Sequence, residues 1–192
     1  MNITDVKIDI SGIPKEDWSK MMFSKQDVLR QLYGVPICNL DVPSDQQLLR
    51  AMAWNVVEEA GEILDVLMTS GDQDHFFDEV ADMTSFYMEL LLMSDYRGRF
   101  YDWEQIERTE TNVEKSFTDF TVSLALTINT LKNRHWRKTN LQTDAITYRE
   151  RLSNTGPKFT KFIQCLGISY KDFVEVYCKK YRVNLFRLES NY

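Results

Sequence analysis

The stretch from Ser44 to Ser94 limits what this chain can fold into more than any other, because it reads as two amphipathic helices joined by a short turn. Ser44 with Gln47 three residues on forms a capping-box start. Leu49, Met52, Ala53, Val56, Val57, Ala60, Ile63, Leu64 and Leu67 then recur at spacings of three and four, one apolar stripe of a helix. Ser70-Gly71-Asp72 breaks the pattern, and Gly71 suits the left-handed backbone that ends a helix. Asp74 is the expected cap of the second helix, whose apolar side carries Phe76, Phe77, Val80, Met83, Thr84, Tyr87 and Leu91. So short a connection predicts antiparallel neighbours.

The acids of this stretch are placed symmetrically about the turn. Glu59 and Glu62 stand three apart on the first helix, and Glu79 and Asp82 three apart on the second, so each pair shares a helix face. In an antiparallel pair Glu62 is expected to face Glu79, and Glu59 to face Asp82 roughly 4.5 Å further along the axis. Four carboxylates converging near a core repel one another unless a cation sits among them. Donors that are all oxygen suit Mg²⁺ or Mn²⁺. Either acidic pair alone also reads as a solvated helix face, since Glu is a good helix former. The mirrored spacing leaves both readings open.

Composition narrows the class. A chain of 192 residues predicts one domain, 1–192, with 1–23 as an N-terminal arm. A net charge of −6 argues against nucleic acid or an anionic membrane as partner. Cys38, Cys165 and Cys178 are widely spaced, as reduced thiols of a cytoplasmic protein would be. His75 and His135, the two histidines, are too few and too isolated for a zinc site. The longest apolar stretch, around Phe86 to Met93, is interrupted by Glu89 and too short to span a bilayer.

Within the arm, Val6, Ile8 and Ile10 alternate with Asp5, Lys7 and Asp9, the one good strand pattern of the chain. Ser24 to Tyr33 predicts a short helix closed by Gly34. Asp102 and Gln105 open a long helical run whose Ile106, Val113, Phe117, Phe120, Leu124, Ile128 and Leu131 read as core or subunit interface. Asn133 to Lys138 is a basic cluster beside an indole, suited to a helix C-terminus or to phosphate. Ser169 with Asp172 caps the last helix, on which Lys180, Asn184 and Arg187 line one face. Two cations and an amide on one stripe suit phosphate oxygens, and a solvated basic helix end is the plainer alternative.

Glu58-Glu59-Ala60-Gly61-Glu62 followed by Glu79-Val80-Ala81-Asp82 resembles the E-E-x-x-E … E-x-x-D signature of the all-α nucleotide pyrophosphohydrolases. That superfamily includes MazG-like enzymes, the dimeric dUTPases and the T-even phage dCTPases. Tyr177 to Arg187, with the final Tyr192, looks like the Y-x-x-K-N-x-x-N-x-x-R … G-Y segment of the dUTPase/dCTPase branch. The chain departs from that segment at Tyr181, where the family has Asn, and at Asn191, where it has Gly.

The resemblance implies an all-α helical bundle built on the acidic hairpin, acting as a homodimer on a deoxynucleoside triphosphate. It implies hydrolysis to the monophosphate and pyrophosphate with Mg²⁺, Mn²⁺ being possible, and two or more ions held by Glu59, Glu62, Glu79 and Asp82. Glu58 is the nearest spare carboxylate for orienting or deprotonating the reacting water, although its helical angle points away from the Glu59 side. Lys180, Asn184, Arg187 and Tyr192 are the implied phosphate clamp, and Gln26 and Gln31 the nearest candidates for base contact. By branch the base is uracil or cytosine, with dGTP or another purine nucleotide as alternative. A helical nucleotide-binding or regulatory protein without turnover is the alternative from another class. The compartment implied is the cytoplasm, a host's if the gene is a phage's.

Overall fold

A computed structural model describes residues 3, 6–69, 71–96, 103, 112–134, 136 and 141–190. Among them there is no strand, and the fold is all-α. The helices are α1 (Trp18–Leu32), α2 (Pro43–Thr69), α3 (Gln73–Met93), α4 (Val113–Ile128), α5 (Ala145–Ser153), α6 (Thr155–Cys165) and α7 (Tyr170–Glu189). No helix is long and apolar enough to cross a membrane, among the described residues.

The chain divides into two compact units whose boundaries fall inside α2 and α3. The first takes Met1–Val35, Asn55–Glu89 and Ser169–Tyr192; the second takes Pro36–Trp54 and Leu90–Ile168. In the first, α1 packs on α7. Its core gathers Met22 and Leu29 of α1, Val56, Ala60 and Ile63 of α2, Val80, Met83 and Tyr87 of α3, and Phe173 and Tyr177 of α7. In the second, α4 packs on α5 and α6. Phe120 meets Phe159 edge-on at 5.5 Å and stacks on Phe162 at 6.3 Å, while Phe117 lies 5.8 Å from Phe162. The aromatic stripe of α4 is therefore spent on α6, and it gives no separate support for a subunit interface.

Several local expectations are corrected. Val6 and Ile10 are buried but their segment forms no strand: alternation needs a partner edge, and none of the described residues supplies one. α1 starts at Trp18, inside the expected arm, where the Trp18 indole donates to the Ile13 carbonyl at 3.0 Å and lies tilted against the Tyr170 ring at 5.1 Å. α2 starts at Pro43, not on a Ser44 capping box. Proline is at home in a first turn, where its missing N–H costs nothing, and Gln46 N–H already reaches the Val42 carbonyl at 3.0 Å. Gly71 does take the left-handed backbone, φ 61°, but α3 is capped by Asp72 rather than Asp74. The Asp72 carboxylate accepts from the N–H of Asp74 at 3.0 Å and of His75 at 3.2 Å. The Ser169 hydroxyl accepts from Asp172 N–H at 3.1 Å and opens α7 as expected. The helix start expected at Asp102 to Gln105 lies outside the described residues, as do His135 and Tyr192.

Candidate metal centre

The apolar stripes set where the acids go. On α2, Ala60 and Ile63 are fully buried, and their neighbours Glu59 and Glu62 are left at the margin, Glu59 half-buried and Glu62 exposed. On α3, Val80 and Met83 are fully buried, which draws the adjacent Glu79 in until it is only 8% exposed, and leaves Asp82 half-buried. Burying charge this way is costly unless something pairs with it.

The acids form two overlapping sets. One oxygen each from Glu59, Glu79 and Asp82 lie within 4.8 Å of one another, and so do one ligand atom each from Glu62, His75 and Glu79. Glu79 belongs to both. These groups could hold a metal ion. Glu58 is exposed and is in neither set.

Electrostatics agree with crowded negative charge. Burial, then a hydrogen bond with Glu79, then the charges of Asp82, Glu79 and Glu62 push the Glu59 carboxyl up to about 8. Burial pushes Asp82 up to about 6, against the pull of Lys180. The Lys180 ammonium donates to Asp78 Oδ1 at 2.7 Å and Asp82 Oδ2 at 2.6 Å. Burial works against the charge of Lys180, yet the two aspartates outweigh it and hold its pKa above the ordinary lysine value.

The stripe on α7 thus meets the acids at one end. Lys180 is buried on the aspartates, Asn184 is half-buried and Arg187 exposed, so the direct partner of Lys180 in the structure is carboxylate. Asp78 has no part in the sequence reading, and His75, which the sequence presents as too isolated for a zinc site, lies with its Nε2 2.7 Å from Glu79 Oε1 and within one possible ligand set. The i, i+4 spacing of His75 and Glu79 was the available signal.

Of the two candidate base-contacting amides, Gln31 is exposed and donates to Asp27 at 3.1 Å. Gln26 is buried: its Nε2 donates to Glu89 Oε2 at 2.7 Å and its Oε1 accepts from the Tyr177 hydroxyl at 3.1 Å. The basic cluster belongs to the second unit, where Asn133 is buried and the Arg134 guanidinium lies 6.0 Å from the Trp136 ring.

No protein-family model matches this chain, and no curated protein or solved structure matches it. What is established is an all-α protein carrying acidic groups that could bind a metal ion.

Proposed function

We propose that the chain is a Mg²⁺-dependent nucleotide pyrophosphohydrolase that cleaves a deoxynucleoside triphosphate, dUTP or dCTP first, to the monophosphate and pyrophosphate. The observation that carries this reading is the convergence of Glu59, Glu79 and Asp82 within 4.8 Å, at the spacing of the motif the chain resembles. The donor set fits a hard divalent cation: it is all oxygen, it is partly buried, and burial with neighbouring carboxyls raises the Glu59 pKa, which a cation would lower again. When bound, the ion supplies positive charge against the triphosphate and acidifies a water for attack.

The remaining steps belong to side chains. Glu59, Glu79 and Asp82 would hold the cation, which would supply positive charge where the reacting phosphate sits, and Glu62 adds a carboxylate beside Glu79. Lys180, by offsetting part of the charge of Asp78 and Asp82, lessens the repulsion of an anion by the inner wall of the site. Asn184 and Arg187, on the same side of α7 as Lys180, are placed to take phosphate oxygens, Arg187 from solvent. Two copies of the chain act together, as the resemblance implies.

The test is pyrophosphate release from each common dNTP and NTP with Mg²⁺, alongside sedimentation. Turnover confined to pyrimidine deoxynucleotides is expected, from a dimer. Release from purine nucleotides alone would move the substrate class. Metal binding without turnover of any nucleotide would replace the enzyme by a binding protein.

A further inference from the structure

We propose that His75 is a metal ligand, and that His75, Glu62 and Glu79 form a second ion position that takes a transition ion such as Mn²⁺, Co²⁺ or Zn²⁺ in preference to Mg²⁺. The inference rests on the metal reading above but not on the reaction proposed for it.

His75 sits in the first turn of α3, four residues before Glu79, so the two side chains stack on one face. Asp72 holds the His75 backbone N–H at 3.2 Å and fixes the start of the helix beneath it. His75 Nε2 lies 2.7 Å from Glu79 Oε1, and Glu62 brings a third ligand atom from α2 to within 4.8 Å of both. Ligands about 2.0–2.2 Å from one ion stand roughly 3–4.3 Å apart, so the observed set needs only side-chain adjustment to close on an ion.

An ordinary helical His–Glu pair would explain two of these atoms. It does not by itself account for the third atom, which the register of α2 and α3 brings across from Glu62. Nor does it explain why the shared Glu79, 8% exposed, is also a member of the all-oxygen set with Glu59 and Asp82. A carboxylate has two oxygens, so one that belongs to two ligand sets could serve both. Lys180 directs its ammonium to Asp78 and Asp82, neither of which belongs to the His75 set.

The two positions differ in chemistry. Glu59, Glu79 and Asp82 offer oxygen alone, which suits Mg²⁺. An imidazole nitrogen favours first-row transition ions, with affinity rising from Mn²⁺ toward Co²⁺ and Zn²⁺. His75 is 52% exposed at its side chain and Glu62 is exposed, leaving room for water or a substrate oxygen to complete the sphere.

The full-length protein, stripped with chelator, is titrated with Co²⁺ and separately with Mg²⁺ by calorimetry, and the Mn²⁺-loaded form is measured by electron spin echo. Wild type should bind more Co²⁺ than the His75→Ala variant by one equivalent and show nitrogen coupling to Mn²⁺ that the variant lacks. Co²⁺ affinity at that position should fall at least about tenfold, the least expected when even an outer partner of a metal is lost. Mg²⁺ affinity should stay within twofold. Because His75 is half-exposed, circular dichroism should be unchanged. Identical Co²⁺ stoichiometry and affinity in the variant, or no nitrogen coupling in wild type, overturns the role of His75 while leaving the oxygen site standing. Failure of wild type to bind any of the three ions overturns both.

Discussion

In the second unit the buried polar hub is a neutral amide, and it spends its hydrogen bonds on the chain itself. Gln46, fully buried, donates to the Leu40 carbonyl at 2.5 Å and the Thr143 hydroxyl at 2.8 Å, and accepts from Asn133 N–H at 2.9 Å and Arg50 at 3.2 Å. All four bonding positions of its amide are used. Asn133 in turn makes two bonds to the backbone of Leu141, at 2.8 and 2.6 Å. The first unit instead buries charge: Glu79, Glu89 and Lys180, with Glu59 and Asp82 half-covered. Its carboxyl groups are crowded, and Glu89 Oε1 is buried with no hydrogen-bond partner. Unpartnered buried atoms occur in both units, Arg50 Nε and Thr160 Oγ1 in the second and Glu89 Oε1 in the first, so what separates the two interiors is the crowding of carboxylates in the first.

If that contrast is right, substitutions in the two networks should fail in different ways. The largest effect is expected in the first. Glu62→Ala or Asp82→Ala should abolish turnover with helicity retained, as read by pyrophosphate release and circular dichroism. Their stabilities should part company: Glu62 is exposed and its loss nearly neutral, while loss of Asp82 leaves the buried Lys180 with Asp78 alone. Full activity in either variant would remove the four-carboxylate site. Gln46→Ala should do the reverse, costing roughly 2–4 kcal/mol of stability by orphaning buried partners while leaving metal affinity untouched. A loss under about 1 kcal/mol in chemical denaturation would show that the hub holds nothing together.

The contrast also explains what was legible beforehand. Helices follow from three-and-four spacing, and the mirrored acids follow from helix geometry about a turn, because both are periodic in sequence. Gln46, Asn133 and Thr143 meet across 87 and 97 residues with no period to announce them. Lys180, Asn184 and Arg187 could be put on one face of α7, but not the neighbour that face meets, so Lys180 was read toward phosphate and is found on Asp78 and Asp82. Glu89 looked like an interruption in an apolar run, and is a buried member of it. The strand pattern of Val6 to Ile10 reports burial of alternate residues correctly and pairing wrongly, since burial is local and pairing is not.

Arg187 tests how far the charged region extends. If it grips triphosphate, Arg187→Ala should weaken a non-hydrolysable triphosphate roughly ten- to a hundredfold, as loss of a charged hydrogen bond of about 1.5–3 kcal/mol would. Nucleoside binding should not change. An exposed arginine without that role contributes under about 1 kcal/mol, so unchanged affinity in calorimetry would confine the site to the acids and Lys180.

The smallest effect is expected at Glu89, and it can be isolated by pH. Burial pushes this carboxyl from the ordinary 4.5 up to about 6, with the Gln26 hydrogen bond and Arg30 opposing the rise. A carboxyl whose folded pKa is raised favours folding while protonated. That contribution is full below about 4.5 and is lost as pH climbs through about 6, leaving an ionised group that costs about 2 kcal/mol at neutral pH. Glu89→Gln keeps an oxygen for Gln26 and removes the charge, so it should be the more stable protein at pH 8, by up to about 2 kcal/mol less the cost of a new unpaired amide NH₂. At pH 4 the advantage should vanish or reverse, because both proteins are then neutral at this position. Glu59 and Asp82 also have raised pKa values, but they are present in both proteins and cancel in the difference. Denaturant midpoints from pH 4 to 8 should therefore diverge between about 4.5 and 6 and run parallel above. Parallel curves throughout would mean that Glu89 is as well satisfied as Gln46, and that the two interiors differ in charge but not in strain.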